Sequence, residues 1–317
     1  IFFLKVMLSE AINLKHQTNV VLLNEALRSI QSLNENECQK LFWALREDYQ
    51  RRSKYIAYLT RSKQQLLSTL AFFDSLLEHI EHDKFVCSYN LISILVRQFL
   101  DMKEKNVQIF IKKFQMLVVS DEKAALVQKF LEYLFSTLES DSSWQGATEE
   151  QTELAKRIVE RHVMSQIYMM ALYPNGDGDV LRDQILYQHI ENLSRTISPS
   201  HKDLGIPKIY HSECPWPSAQ AELTAIVAHK TPRDKVRCVF RCCTNIMNLL
   251  SLATDRSVPA ADDLMPVLVY VLIKANPVSL LSTVQYVNSF YEKNFEGEEG
   301  YWWTQFCSAV EFIKNMD

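Results

Sequence analysis

The stretch Ala261-Asp262-Asp263-Leu264-Met265-Pro266-Val267-Leu268-Val269-Tyr270 sets two carboxylates immediately before an apolar run that a helix would bury. The run continues to Ile273 and stops at Lys274. It therefore falls far short of the roughly 20 residues a spanning helix needs. After a polar loop comes Gly300-Tyr301-Trp302-Trp303-Thr304-Gln305-Phe306. The two segments together point to an acidic residue presented next to an aromatic surface.

Working outward, composition narrows the fold. Hydrophobic residues make up 47% of the 317, enough for a substantial core and too many for disorder. Only 6 Gly and 9 Pro occur, which disfavours a sandwich with turns roughly every 8–12 residues. Net charge is −4 and no basic tract is sustained, so a nucleic-acid footprint is not indicated. Arg51-Arg52 with Lys54 is the densest basic spot and reads as a solvated helix face. Ile1 is not an initiator Met and no leader pattern follows it, so the chain reads as an interior or C-terminal piece of a larger soluble protein. The 7 cysteines are odd in number, irregularly spaced and without a Cys-x-x-Cys pair. Cys238, Cys242 and Cys243 have helix-core spacing, so buried reduced thiols in a cytosolic protein are expected, and zinc is not.

A period of 3.6 dominates the chain. Val20, Leu23, Leu27 and Ile30 form one stripe, and Leu66, Leu70, Phe73, Leu77 and Ile80 a second. Leu91, Ile94, Leu95, Gln98 and Phe99 mark a third helix, with further stripes at Ile109 to Leu117 and Leu126 to Leu138. Short polar breaks between them suggest antiparallel helices. Thr148-Glu149-Glu150-Gln151 fits a capping box opening a helix that runs to about Leu172. Thr231 followed by Pro232 reads as an N-cap with Pro at the first helical position. No period repeats, so a solenoid is not supported. The expected fold is all-α.

Several motifs carry little chemistry. Asn175-Gly176-Asp177-Gly178-Asp179 hints at a calcium loop, but Val180 and Leu186 stand where that loop needs Gly and Glu, so a surface turn is expected. His79 and His82 lack the metalloprotease order and read as solvated. No nucleophile elbow, phosphate loop or dinucleotide fingerprint occurs, and no acid/base pair converges at readable spacing. Of the adjacent Trp302 and Trp303, one is expected in the core and one near the surface. Asp262 has two readings: an N-cap accepting the first free amides of a helix, or a carboxylate pointing at a partner, with Asp263 as the cap or in the first turn. Tyr301 and Thr304 share a helix face, continued by Cys307 and Ser308; it is either a contact surface or a polar-edged core stripe.

At these residues the chain resembles a known family. Ala261-Asp262-Asp263-x-x-Pro266, Lys274-Ala275-Asn276-Pro277, Gln285-Tyr286 and Gly300-Tyr301-x-x-Thr304 occur in the order of the vacuolar-protein-sorting-nine (Vps-nine) domain. Thr231-Pro232-Arg233-Asp234-Lys235 matches the segment usually found upstream. Details around Tyr173-Pro174-Asn175, Pro215-Trp216-Pro217 and Ile246-Met247-Asn248 are similar to a member group of endocytic proteins that also carry an N-terminal Ras-type GTPase-activating domain.

The resemblance implies an N-terminal helical region over 1–105 and a helical bundle over 106–176 packed on an all-helical Vps-nine exchange domain over 177–317. It implies a guanine nucleotide exchange factor for Rab five-type GTPases of early endosomes, acting without bond chemistry of its own, without a cofactor and without a metal. Asp262 aligns with the family's aspartate finger, and Tyr301 and Thr304 with its GTPase-contacting residues. Leu264, Pro266, Asn276, Pro277, Gln285 and Tyr286 would build the docking groove or support it. The implied partner is a GDP-bound or nucleotide-free Rab five-type GTPase, met in the cytoplasm at the surface of endocytic membranes, with peripheral attachment through the full-length protein. Val278 departs from the family's second Pro, and no Ras-type arginine finger can be placed in the chain. The competing reading is a non-catalytic helical adaptor or effector of a small GTPase.

Overall fold

The computed structural model describes residues 1–213, 215–253, 261–291, 295 and 297–316, with the side chains of 212, 213, 261 and 262 outside that description. Among these residues are twelve α-helices and no strand, in keeping with the dominant 3.6-residue period. The chain divides into two compact units, Ile1–Phe85 and Val86–Asp317.

In the first unit, α1 (Phe2–Asn13) and α2 (Gln17–Gln31) pack on each other. α3 (Glu35–Met102) then runs for 68 residues and crosses the division. Asn34 opens it: its side chain accepts from the Glu37 amide at 3.0 Å, and the Glu37 carboxylate accepts from the Asn34 amide at 2.9 Å. The stripes at Leu66–Ile80 and Leu91–Phe99 therefore belong to one helix, not to two antiparallel ones. The polar stretch Glu81 to Lys84 does not end the helix because Glu and Lys are good helix formers, and no Gly or Pro occurs between 35 and 102. The buried side near its C-terminus is Ile92, Val96, Phe99 and Leu100, whereas Leu91 and Ile94 are exposed. Apolar residues on both sides left the periodicity unable to choose between them.

In the second unit, α4 (Glu104–Met116), α5 (Ser120–Ser140) and α6 (Glu149–Leu172) pack on one another around Phe110, Phe114, Leu134, Leu138, Val159 and Val163. Phe110 stacks on Phe130 with ring centroids 4.3 Å apart. The capping box is formed as expected: Thr148 accepts from the Gln151 amide at 3.3 Å, and Gln151 accepts from the Thr148 amide at 3.0 Å. α7 (Asp177–Thr196) starts just after Gly176, whose φ of 59° suits glycine. Asp179 turns back to accept from the Asn175 amide at 2.9 Å, so this stretch is a helix start.

Four further helices surround one apolar helix. α10 (Ala261–Ala275) packs on α7, α8 (Pro217–Ala225), α9 (Pro232–Ala253) and α12 (Glu298–Lys314). Leu264, Val267, Leu268, Val271, Leu272 and Ile273 are all fully buried, which is the pattern of a helix enclosed on every side. No single described helix is long and apolar enough to cross a membrane. Cys238, Cys242 and Cys243 are fully buried on α9, and burial pushes the Cys243 thiol up to about 12. α11 (Leu280–Tyr291) is capped from α7: one Asp183 carboxylate oxygen accepts from the Leu281 and Ser282 amides at 2.9 and 3.1 Å.

Candidate functional site

The helix that buries the apolar run is described over Ala261–Ala275, so Asp262 and Asp263 both stand in it rather than ahead of it. The Asp262 side chain lies outside the described residues. Asp263 is half-buried and is engaged by the Tyr210 hydroxyl; burial, then the charge and bond of Asp263, push that phenol up. Pro266 lies inside the helix. Having no N–H, it cannot bond the carbonyl of residue 262, so the turn bearing Asp262 has one fewer bond to the helix body.

α12 presents the second predicted element. Tyr301 is 43% exposed and meets Trp302 edge-on with centroids 4.8 Å apart. Thr304 is exposed one turn on, and its hydroxyl donates to the Gly300 carbonyl at 2.9 Å. Ser308 and Phe312 extend the row. Cys307 does not belong to it. That residue is half-buried on another side of the helix, where burial pushes its thiol up to about 11. Trp303 is the core indole, buried and donating to Asn288 at 2.8 Å, while Trp302 is half-buried.

The remaining predicted residues separate into supports. On α10, Leu264 is fully buried and Pro266 half-buried. Asn276 and Pro277 terminate α10 at its far end, roughly 20 Å along the axis from Asp262. Asn276 has φ 38°, its amide donates to the Leu272 carbonyl at 2.9 Å, and its side chain donates to the Tyr187 carbonyl at 3.2 Å. It is a left-handed C-cap followed by a Pro stop. Gln285 accepts from Arg182 at 3.0 Å, towards α7. Tyr286 is 1% exposed, donates to the Lys230 carbonyl at 2.7 Å and meets Tyr168 of α6 edge-on. Leu264 and Tyr286 thus support a surface instead of lining one.

Sequence reasoning missed the polar joint between α6 and α9. Arg161 donates twice to Asp234, at 2.8 and 2.9 Å, and Thr231 donates to the same carboxylate at 2.7 Å. The Asp234 amide in turn donates to Thr231 at 3.2 Å, which confirms the N-cap. Next to it, Lys235 is fully buried, donates to the Ile226 carbonyl at 2.9 Å and lies 5.3 Å from the Tyr168 ring centroid. Beyond the Thr231 cap, the block to Lys235 was visible only as a family signature; the partners of Asp234 and Lys235 include Arg161 and Tyr168, far along the chain. A groove of about 1730 Å³ runs between α5, α6, α9, α11 and α12, lined by Phe135, Arg237, Tyr291 and Glu299 among others. Of the described side chains, Tyr301 and Thr304 are not among its lining residues. No cluster of metal-ligating side chains occurs among the described residues.

Residues 216–317 match the family model of the vacuolar sorting protein 9 (VPS9) domain, and residues 105–168 match a domain of unknown function, DUF5601. The chain is 50% identical over 315 residues to GTPase-activating protein and VPS9 domain-containing protein 1 of Homo sapiens, covering 99% of this chain and 21% of that protein. It is 36% identical over 305 residues to Receptor-mediated endocytosis protein 6 of Caenorhabditis elegans, covering 92% of this chain and 27% of that one. With Vacuolar protein sorting-associated protein 9A of Arabidopsis thaliana it shares 35% identity over 218 residues, 67% of this chain and 41% of the relative. The chain thus carries a VPS9 domain and spans about a fifth of the length of the vertebrate relatives it matches.

Proposed function

We propose that this chain, whose residues 216–317 form a VPS9 domain, is the exchange module of an endocytic protein and promotes GDP release from a Rab five-type small GTPase. The observation that carries this reading is that the family match spans Asp262, Tyr301 and Thr304, with Tyr301 and Thr304 exposed in one row on α12, packed against the buried α10. The engagement of Asp263 by Tyr210 favours Asp262 as the acting carboxylate. Receptor-mediated endocytosis, in the name of the C. elegans relative, favours a cytoplasmic site of action with peripheral attachment to endosomes.

A GTPase holds its nucleotide with a magnesium ion and a phosphate-loop lysine. A carboxylate entering that site repels the β-phosphate and gives the lysine another anionic partner. Weakening nucleotide by ~5.5 kcal/mol changes its occupancy about 10⁴-fold. The exchange factor must then bind the nucleotide-free GTPase more tightly, since only differential affinity moves the equilibrium. Asp262 supplies the carboxylate, and Tyr301 and Thr304 hold the GTPase switch region. No cofactor takes part.

Release of fluorescent GDP from a panel of Rab GTPases tests this. Asp262→Ala should slow release by on the order of 100-fold, about 2.7 kcal/mol of transition-state stabilisation, while the helical circular dichroism and the melting curve stay unchanged. Retained exchange would refute the assignment, and loss of fold together with activity would give Asp262 a structural role instead. Tyr301→Ala should weaken capture of the nucleotide-free GTPase. A chain that prefers the GTP-loaded form would be an effector or adaptor instead.

A further inference from the structure

α3 carries an uncovered seam. From Leu45 to Lys84, every third and fourth residue in alternation falls on one line, which is the 3.5-residue period of a coiled coil. Nine of these positions are apolar or Tyr, and all but the half-buried Ile56 are exposed; Leu66, Leu70 and Leu77 are 66%, 57% and 57% exposed. The other three are Arg52, Lys63 and Lys84. Leu67 and Leu76 flank the seam and widen it.

The seam is about 60 Å long at 1.5 Å per residue. α1 and α2, with 12 and 15 residues, reach only roughly 18 and 23 Å. The longest other described helix, α6, has 24 residues. Only α3 itself matches the length and the period. Nine side chains at roughly 100 Å² each would bury about 900 Å² per copy, or ~1,800 Å² in total, within the range of a stable interface.

Charge sets the direction. A parallel, in-register pair would place Arg52, Lys63 and Lys84 each against its own copy inside the seam. An antiparallel pair centred between Lys63 and Leu66 avoids all three clashes. Lys63 then lies beside Leu66, Arg52 beside Leu77, and Lys84 beside Leu45, with each long basic stem covering apolar surface while its charge reaches water. The remaining layers are apolar: Tyr49 on Ile80, Ile56 on Phe73, and Leu59 on Leu70. Flanking charges are mixed, Arg46 near Glu81 being favourable and Asp48 near Asp83 not, so the direction rests on the seam. We propose that this chain forms an antiparallel homodimer through the α3 seam from Leu45 to Lys84, independently of any exchange activity.

Light scattering of the whole chain at ~20 μM should give twice 36.9 kDa. Leu70→Glu with Leu77→Glu should give a monomer at the same concentration with helical circular dichroism retained, since both side chains are exposed and Glu is a good helix former. Phe72→Glu, off the seam, should leave the dimer intact. A monomeric parent would mean that the seam belongs to a different protein, and would overturn the proposal. So would a trimer, or a dimer that survives the double substitution. For direction, a mixture of Tyr49→Cys and Ile80→Cys chains should form a mixed disulfide that neither forms alone. Cross-linking of either variant with itself would refute the antiparallel arrangement.

Discussion

Replacing Lys235 by Met is expected to stabilise the unit Val86–Asp317 at neutral pH and to destabilise it at alkaline pH. Lys235 is fully buried, with one carbonyl acceptor and one aromatic face for its ammonium. Burial pushes it down from 10.5 to about 8, only partly countered by Cys238. Below about pH 8 both the folded and the unfolded chain hold the proton, and the folded state bears the full cost of a buried charge. Between about 8 and 10.5 the folded chain has released the proton and the unfolded chain has not. The unfolded state then binds more protons, so stability rises with pH across that window. A fall from 10.5 to about 8 corresponds to ~3 kcal/mol. Met fills similar volume without charge, but it leaves the Ile226 carbonyl without a donor, at a cost of about 1–2 kcal/mol, and removes a cation–aromatic contact. The net expectation is a gain of ~1 kcal/mol at pH 7 and a loss of ~1–2 kcal/mol above pH 10. Urea unfolding followed by tryptophan fluorescence measures it, because Trp144, Trp216, Trp302 and Trp303 all lie in this unit. The variant-minus-parent difference cancels the alkaline titration of Cys242, Cys243 and Tyr286, which both proteins share. A difference that stays flat from pH 7 to 10 would show an ordinary Lys235 ammonium and refute the reasoning.

Two further substitutions probe the supports. Arg161→Ala leaves Asp234, whose side chain is 11% exposed, without its bidentate partner. Arg161 is half-exposed, so the loss should be about 2 kcal/mol in urea at pH 7. Burial alone would raise the Asp234 carboxyl, but the bonds from Arg161 and Thr231 outweigh it and hold the group below its usual 3.8. That contribution is present above pH 3.8 and is lost as pH falls through the lower folded value, so the variant should lose its acid-sensitive step; an unchanged acid limb would count against the pair. Tyr286→Phe removes the donor to the Lys230 carbonyl and should cost ~1 kcal/mol with GDP release unaffected. Lost exchange in a folded Tyr286→Phe chain would return that residue to the contact surface.

What could be read from sequence divides by range. Local devices were legible: the Thr148 and Thr231 caps, the three thiols on the buried side of α9, and the one-in, one-out pair Trp303 and Trp302 each follow from spacing within one or two turns. The continuity of α3 was misread because a charged stretch was treated as a stop, although no Gly or Pro was present to break the backbone. The side of α3 that meets the core was misread because Leu91 and Ile94 are as apolar as Ile92 and Val96. Arg161 and Asp234 stand 73 residues apart, and Lys235 finds its ring on Tyr168 in another helix. No periodicity encodes such partners. The same limit applies to Asn276, Gln285 and Tyr286, whose places in a motif say nothing of which way they face.

The proposed carboxylate gains its leverage from the helix behind it. A group that must oppose a phosphate has to hold its position against the force it exerts, or it simply rotates away. An exposed loop offers no such resistance, and a freely amphipathic surface helix little. α10 is enclosed on every side by α7, α8, α9 and α12. Moving it means opening a close-packed core around Leu264, Val267, Leu268 and Val271. Its far end is pinned as well, through Lys274 to the Ser194 carbonyl and Asn276 to the Tyr187 carbonyl. The turn from Asp262 to Pro266 is eased by the bond that Pro266 cannot make. The helix body therefore acts as a fixed post, and the single turn bearing Asp262 is the part with room to adjust to a nucleotide site. This predicts an asymmetry: Pro266→Ala, which restores the missing bond, should stabilise the fold yet slow GDP release. A substitution that loosens the far end, such as Asn276→Ala, should lower stability first and exchange only in proportion to the folded fraction. Faster release from a more stable Pro266→Ala chain would show that the loosened turn plays no part.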